Sequence, residues 1–269
     1  MRTHHIRNPR EKRCGHRGTF PHSNRGFTLV EMIGVLAIMA IVAGVVAPNI
    51  FQKIKTANQD AETHQLSVIG QGVELYVRQN LAFPSSLIAL SPDYVSIAQS
   101  QLNTNASGFL RYLVLQPNIT GFSNSTGLAT NQLGNARFLL ITHLGQHANP
   151  AILTDANFES WWNTDETATP DLKIYRGHLG HLFHLLSVSG SGAGGSYMVN
   201  GSPTNSGGAL LSTHLRYHLA GTSIGLDENN TYGTPELQVA LTTDAGYQFD
   251  PDCPAGSKWR TISSGCYVP

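Results

Sequence analysis

The chain has 269 residues, 41% of them hydrophobic, and its 17 basic and 17 acidic side chains cancel. That is room for one or two domains with a real core. Only eight Lys or Arg residues lie between 78 and 260, which argues against a dedicated nucleic-acid surface and leaves no nucleic acid expected among the partners.

The even charge hides an uneven distribution. Residues 1–26 hold seven basic side chains and one acid, Glu11, leaving ten bases and sixteen acids for residues 27–269. A basic head with Pro, Gly and His but no apolar periodicity reads as a targeting segment rather than part of a fold. From Phe27 to Ala47 the only charge is Glu31. At about 1.5 Å per helical residue this run reaches roughly 31 Å, one membrane span. The basic head, against Lys53 and Lys55 after the span, places the N-terminus in the cytoplasm and everything beyond about residue 50 outside. An uncleaved signal anchor is the plain reading. A secretory signal would end in a small-residue cleavage site, whereas Ala47-Pro48-Asn49 runs into more helix.

Beyond Pro48 the apolar positions Ile50, Ile54, Ala57, Ala61, Leu66, Ile69, Val73 and Tyr76 recur at helical spacing, with Lys53, Lys55, Asp60, Glu62 and Arg78 between them as the polar face. The expected helix spans 27–80, with a kink at Pro48 where a backbone donor is missing, and it stops in Asn80–Pro84.

The junction Arg25-Gly26-Phe27-Thr28-Leu29-Val30-Glu31 resembles the recognition site of prepilin peptidase, which type IV pilins and the pseudopilins of type II secretion systems share. The resemblance implies removal of a leader, 1–26, by cleavage between Gly26 and Phe27, with N-methylation of Phe27. Cutting ahead of the apolar run leaves the anchor on the mature protein. A carboxylate at membrane depth is costly without a partner. The resemblance assigns Glu31 to filament assembly, paired with the N-terminal amine of a neighbouring subunit. Ala47-Pro48-Asn49 resembles the proline passage of many pilins, and Ser85 to Val95 resembles the short-helix passage after the long helix of major pseudopilins. The likeness extends over residues 25 to about 95. Its implied partners are prepilin peptidase, other pilin or pseudopilin subunits, an inner-membrane assembly platform and membrane lipid. Its implied location is the bacterial inner membrane, single-pass, with a periplasmic head.

Residues 81–269 form the expected head. Candidate strands are Phe109–Leu115, Arg137–Thr142, Tyr197–Val199, Leu210–Leu219 (equally readable as a helix) and Leu237–Leu241. They suggest an antiparallel sheet packed on the amphipathic half-helix, an α+β fold. Composition makes 187–209 a flexible loop. Cys253 and Cys266 suit a disulfide closing a C-terminal loop in an oxidising compartment, as in several pilins, with two free thiols as the alternative. His143 and His147, His178, His181 and His184, and His214 and His218 recur at spacings that two-imidazole sites use, but no His-Glu-x-x-His or Cys pair accompanies them, so no metal site is expected. Asp227-Glu228-Asn229-Asn230 and Asp244, Asp250 and Asp252 are oxygen-rich and leave calcium possible, as in the heads of some pseudopilins. No catalytic triad or nucleophile elbow is present, and no enzyme is expected. Two functions remain: a structural filament subunit, or an anchored extracytoplasmic head that binds a ligand or performs chemistry.

Overall fold

The computed structural model describes residues 28–145, 154–190, 195–203, 213–228, 235, 237–253 and 258–262. One helix, α1 (Leu29–Asn80), covers 52 residues with Pro48 inside it. The chain divides into two compact units, 1–53 and 54–269. In the first, every described side chain is exposed except a half-buried Ala47, although the sequence is almost wholly apolar. This is a helix long and apolar enough to cross a membrane.

In the second unit α1 gains a buried stripe of Leu66, Ile69, Val73 and Val77, spaced three and four apart as one helix face requires. The helix ends at Asn80, whose side chain donates to the Tyr76 carbonyl at 3.0 Å and to the Tyr94 hydroxyl at 2.6 Å. A 3-10 turn, Leu87–Leu90, then buries Leu87 and Leu90, and a short helix follows, α2 (Gln99–Leu102). The described strands are β1 (Arg111–Leu115), β2 (Leu128–Ala129), β3 (Arg137–His143), β4 (Leu172–His178), β5 (Phe183–Gly190), β6 (Ser196–Val199), β7 (Ser202–Pro203), β8 (His214–Leu219), β9 (Ser223–Asp227), β10 (Leu237–Ala240), β11 (Ala245–Phe249) and β12 (Trp259–Thr261), with a helix α3 (Asp155–Trp162) between β3 and β4.

Three sheets result. The first is antiparallel, in the order β1-β3-β4. Its central strand is apolar on both faces because both are covered: Phe138 and Leu140 join the α1 stripe, while Leu139 and Ile141 meet Phe158 of α3. Burial on two sides explains a continuous apolar run in place of alternation. Gly70 makes the helix-to-sheet approach possible, since a Cβ there would lie 2.2 Å from the Tyr175 ring. The second sheet has the order β12-β11-β5-β8-β2, with β5 and β11 parallel. The third, antiparallel, has the order β10-β9-β6-β7. Leu186, Val188, Phe249 and Trp259 of the second share a core with Tyr197, Val199, Ile224 and Leu226 of the third.

The α+β class holds, but the described strands form three sheets, one of them mixed, instead of one antiparallel sheet. The 187–209 stretch is not one flexible loop. Ser187–Gly190 completes β5, paired with β11, and Ser196–Val199 is a buried strand. Ser187, Ser189, Gly190 and Ser196 pair through the backbone, which composition does not register; 191–194 and 204–209 lie outside the described residues. Within Leu210–Leu219, residues 213–219 are described and His214–Leu219 is a strand. Glu62, read as part of the polar face, is buried, because Arg111 on β1 meets it with a two-pronged ion pair at 2.6 and 2.7 Å.

Candidate functional site

The N-terminal turn of α1 is built from two residues. Thr28 Oγ1 accepts from the Glu31 backbone N–H at 3.2 Å, while the Thr28 N–H and hydroxyl both donate to Glu31 Oε2, at 2.9 and 3.0 Å. This is a capping box: two otherwise unpaired donors of the first turn are satisfied reciprocally, and an acid sits where the helix dipole favours it. Glu31 therefore has a local reason to be where it is. One carboxylate oxygen is engaged within its own helix, and Oε1 has no partner among the described residues. Thr28 is not among the sequence-based site residues, although the Thr-x-x-Glu spacing is the signal for this motif.

Gly26 and Phe27 lie outside the described residues. Pro48 lies inside α1, and the next residue, Asn49, donates its side-chain amide to the Val45 carbonyl at 3.3 Å, adding a bond beside the position where proline has no donor. Cys253 is buried and disulfide-bonded. Its expected partner, Cys266, lies outside the described residues.

Most described acids of the two acidic loops bond within the fold, while Asn229 and Asn230 lie outside the described residues. Asp227 is buried at the end of β9. Asp244 accepts from the Leu185 N–H at 2.9 Å. Asp250 accepts from the Asp252 N–H at 3.0 Å and pairs with Arg260 at 3.3 Å. The carbonyls of Pro251 and Cys253, oxygens a cation would use, instead take the Lys258 ammonium at 2.8 and 2.5 Å. Among the described residues no group of three His, Cys, Asp or Glu is arranged to hold a metal. Most histidines are similarly dispersed: His178 lies edge-on to Trp162, His181 is 3.7 Å from Glu74, and His184 is 3.6 Å from Asp244. His147 is outside the described residues. His214 and His218 do come together.

Fold and site thus define a class: an α+β head carried on a helix that opens with an exposed apolar stretch and an acid-containing cap. The pattern described as the prokaryotic N-terminal methylation motif matches residues 21–47. The chain is 38% identical over 66 residues to a type IV wide pilus major component, PilA4, of Thermus thermophilus, covering 24% of this chain and 50% of the relative. It is 30% identical over 95 residues to the type II secretion system core protein G of Pseudomonas aeruginosa, covering 34% and 66%. The core protein G of Pectobacterium carotovorum is 24% identical over 111 residues, covering 40% and 71%. Through its N-terminal segment the chain is similar to type IV pilins and type II secretion pseudopilins. The chain spans half of the first of these relatives and 66% of the second. No solved structure matches it.

Proposed function

We propose that the chain is a structural subunit of a type II secretion pseudopilus or a type IV pilus-like filament, without enzymatic activity of its own. Prepilin peptidase cuts between Gly26 and Phe27 and methylates the new amine of Phe27. Residues 27–47 hold the subunit in the bacterial inner membrane with the head in the periplasm. An inner-membrane assembly platform then passes it into the filament. The observation that carries this reading is the acid at the start of an uncovered apolar helix, directly after the cleavage motif. Glu31 Oε2 is committed to Thr28, while Oε1 is open to the ammonium of a neighbouring subunit. In an apolar surrounding, a charge-assisted bond of this kind favours one axial register over the others.

Mass spectrometry of the N-terminus of the protein extracted from membranes is the test. The expected product begins with N-methyl-Phe27; an intact Met1, or a cut elsewhere, overturns the proposal. A second reading, in which 27–80 is only an anchor for a ligand-binding or enzymatic head, draws on the extent of the chain outside the relatives, whose alignments take in at most 40% of it. Under that reading Glu31→Ala leaves function intact; under ours it stops incorporation into filaments.

A further inference from the structure

A groove of about 580 Å3 opens on the head between α1, at Gln65 and Val68, the segment at Ser96 and Ile97, and α2, at Gln101. We propose that it binds an extended, uncharged peptide segment of a partner protein, whose main chain hydrogen-bonds to the Gln65 and Gln101 carboxamides while a small aliphatic side chain rests on Val68 and Ile97. The site belongs to the head alone and stands whether or not the chain enters a filament.

The walls are fixed before anything binds. Arg111 Nη1 donates to the Gln101 and Thr104 carbonyls at 2.5 and 2.8 Å, and its Nη2 donates to Gln65 Oε1. One guanidinium, itself neutralised by Glu62, thus ties α1 to α2 and to the turn that follows α2. Asn105, also in the lining, is buried, and its side chain donates to Thr142 Oγ1 at 3.0 Å and to the His143 carbonyl at 2.7 Å. Its Oδ1 accepts from the Ser107 and Phe109 N–H groups, each at 3.0 Å. Walls held in this way are ordered before a ligand arrives, which removes part of the ordering cost of binding.

The groups left over match a peptide. With Oε1 taken by Arg111, Gln65 keeps its Nε2 hydrogens for a carbonyl. The Gln101 side chain, exposed and without a partner among the described residues, offers a donor and an acceptor side by side, the complement of a peptide unit's C=O and N–H. Val68, Ile97 and Ala106 supply the apolar lining. Charge argues against an ion: among the described lining residues only His64 is ionisable, and Glu62 and Arg111 cancel behind the wall. No Phe, Tyr or Trp lines the groove, so a nucleobase has no ring to stack on. A neutral sugar shares the hydrogen bonding but has no aliphatic side chain to set on Val68 and Ile97. The volume lies within the roughly 300–1,000 Å3 of small-ligand sites, room for a short segment.

The experiment adds blocked tetrapeptides, acetyl-Ser-X-Thr-Gly-amide with X as Ala, Val or Leu, to the full chain in detergent micelles, and reads saturation-transfer difference NMR and isothermal titration. The expected result is binding of at least one of the three, with the strongest transfer to the methyl groups of X, and weaker binding of acetyl-Asp-X-Asp-Gly-amide and of trehalose. Gln101→Ala removes the carboxamide but keeps the backbone carbonyl that serves Arg111, so binding weakens by about three- to tenfold while the unfolding midpoint holds. Ala106→Trp, at an exposed position of the lining, fills the groove and abolishes binding. Ser96→Trp takes its place if the Ala106 variant unfolds early. No binding of any of the three peptides, equal binding by wild type and a folded groove-filling or Gln101→Ala variant, or acidic peptide or trehalose bound as well as the neutral peptides overturns the proposal.

Discussion

Two glutamates on one helix, Glu31 and Glu62, meet apolar surroundings in different ways. Glu62 has its partner inside the chain: Arg111 answers both carboxylate oxygens, then spends its remaining donors on the Gln101 and Thr104 carbonyls at 2.5 and 2.8 Å and on the Gln65 side chain. Among the described residues Glu31 bonds to Thr28 through Oε2, and its Oε1 has no partner there. The first acid is finished by folding. The second, on our reading, is finished by assembly, because the cation that completes it exists only after cleavage before Phe27. A carboxylate in an apolar stretch is thus informative about function when folding leaves it incomplete.

The contrast predicts opposite phenotypes. Glu62→Ala leaves the Arg111 guanidinium buried and unpaired, and breaking such a pair costs about 3–5 kcal/mol. Thermal or urea unfolding of the detergent-solubilised chain shows the loss, and incorporation falls only as far as stability does. Glu31→Ala leaves the head's unfolding midpoint unchanged and removes incorporation, read as subunit in sheared filaments. If Glu31→Ala shifts head stability, or Glu62→Ala does not, the distinction between the two acids collapses. Next in size is the disulfide of Cys253. Paired with Cys266, it closes a short C-terminal loop, worth roughly 3 kcal/mol in the chain-entropy view. Cys253→Ser and Cys266→Ser should then match one another and match reduced wild type; unequal losses point to another pairing.

Legibility in the sequence follows the same division. The apolar run from Phe27, the amphipathic continuation and the end at Asn80 were readable because helical burial is local and periodic. So were the cores of β1, β3, β6 and β10, which are short apolar runs. Strands β4, β5, β9, β11 and β12 are not among the sequence-based expectations: Leu172-Lys173-Ile174-Tyr175-Arg176 mixes in charge, and Ser187-Val188-Ser189-Gly190 becomes a strand by pairing with β8 and β11, both far along the chain. Glu62 was misplaced for a related reason. Its burial depends on an arginine 49 positions away, and nothing within one helical turn announces it. The N-terminal methylation motif, by contrast, is contiguous and therefore legible in the sequence, whereas the capping role of Thr28 is not among the sequence-based expectations.

A smaller effect concerns pH. Burial lowers the pKa of both His214 and His218 from the ordinary 6.5, the former to about 4. The unfolded chain takes up protons near pH 6.5 while the folded head does not, so their contribution to stability is full above pH 6.5 and is lost as pH falls toward 4. The head's unfolding midpoint should decline across that window, and His214→Phe should flatten the decline. A decline of equal depth in the variant would assign the acid sensitivity to other groups.

The smallest predicted effect tests the Glu31 side of the comparison most finely. Thr28→Ala removes the hydroxyl that binds Glu31 Oε2 and the acceptor for its N–H, but leaves the carboxylate in place. Loss of such a cap typically costs about 1 kcal/mol of helix stability in soluble proteins. If Thr28 only starts the helix, incorporation dips modestly and hydrogen exchange quickens over the first turn alone. If it also holds the carboxylate turned back along its own helix until a neighbouring amine arrives, the variant should incorporate more slowly than wild type yet reach the same register. Glu31→Ala should instead fail outright, because an aligned helix without the acid has nothing to offer the incoming ammonium. A Thr28→Ala variant as defective as Glu31→Ala, with the first turn still protected, would mean that the threonine, and not the acid, supplies the contact on which assembly depends.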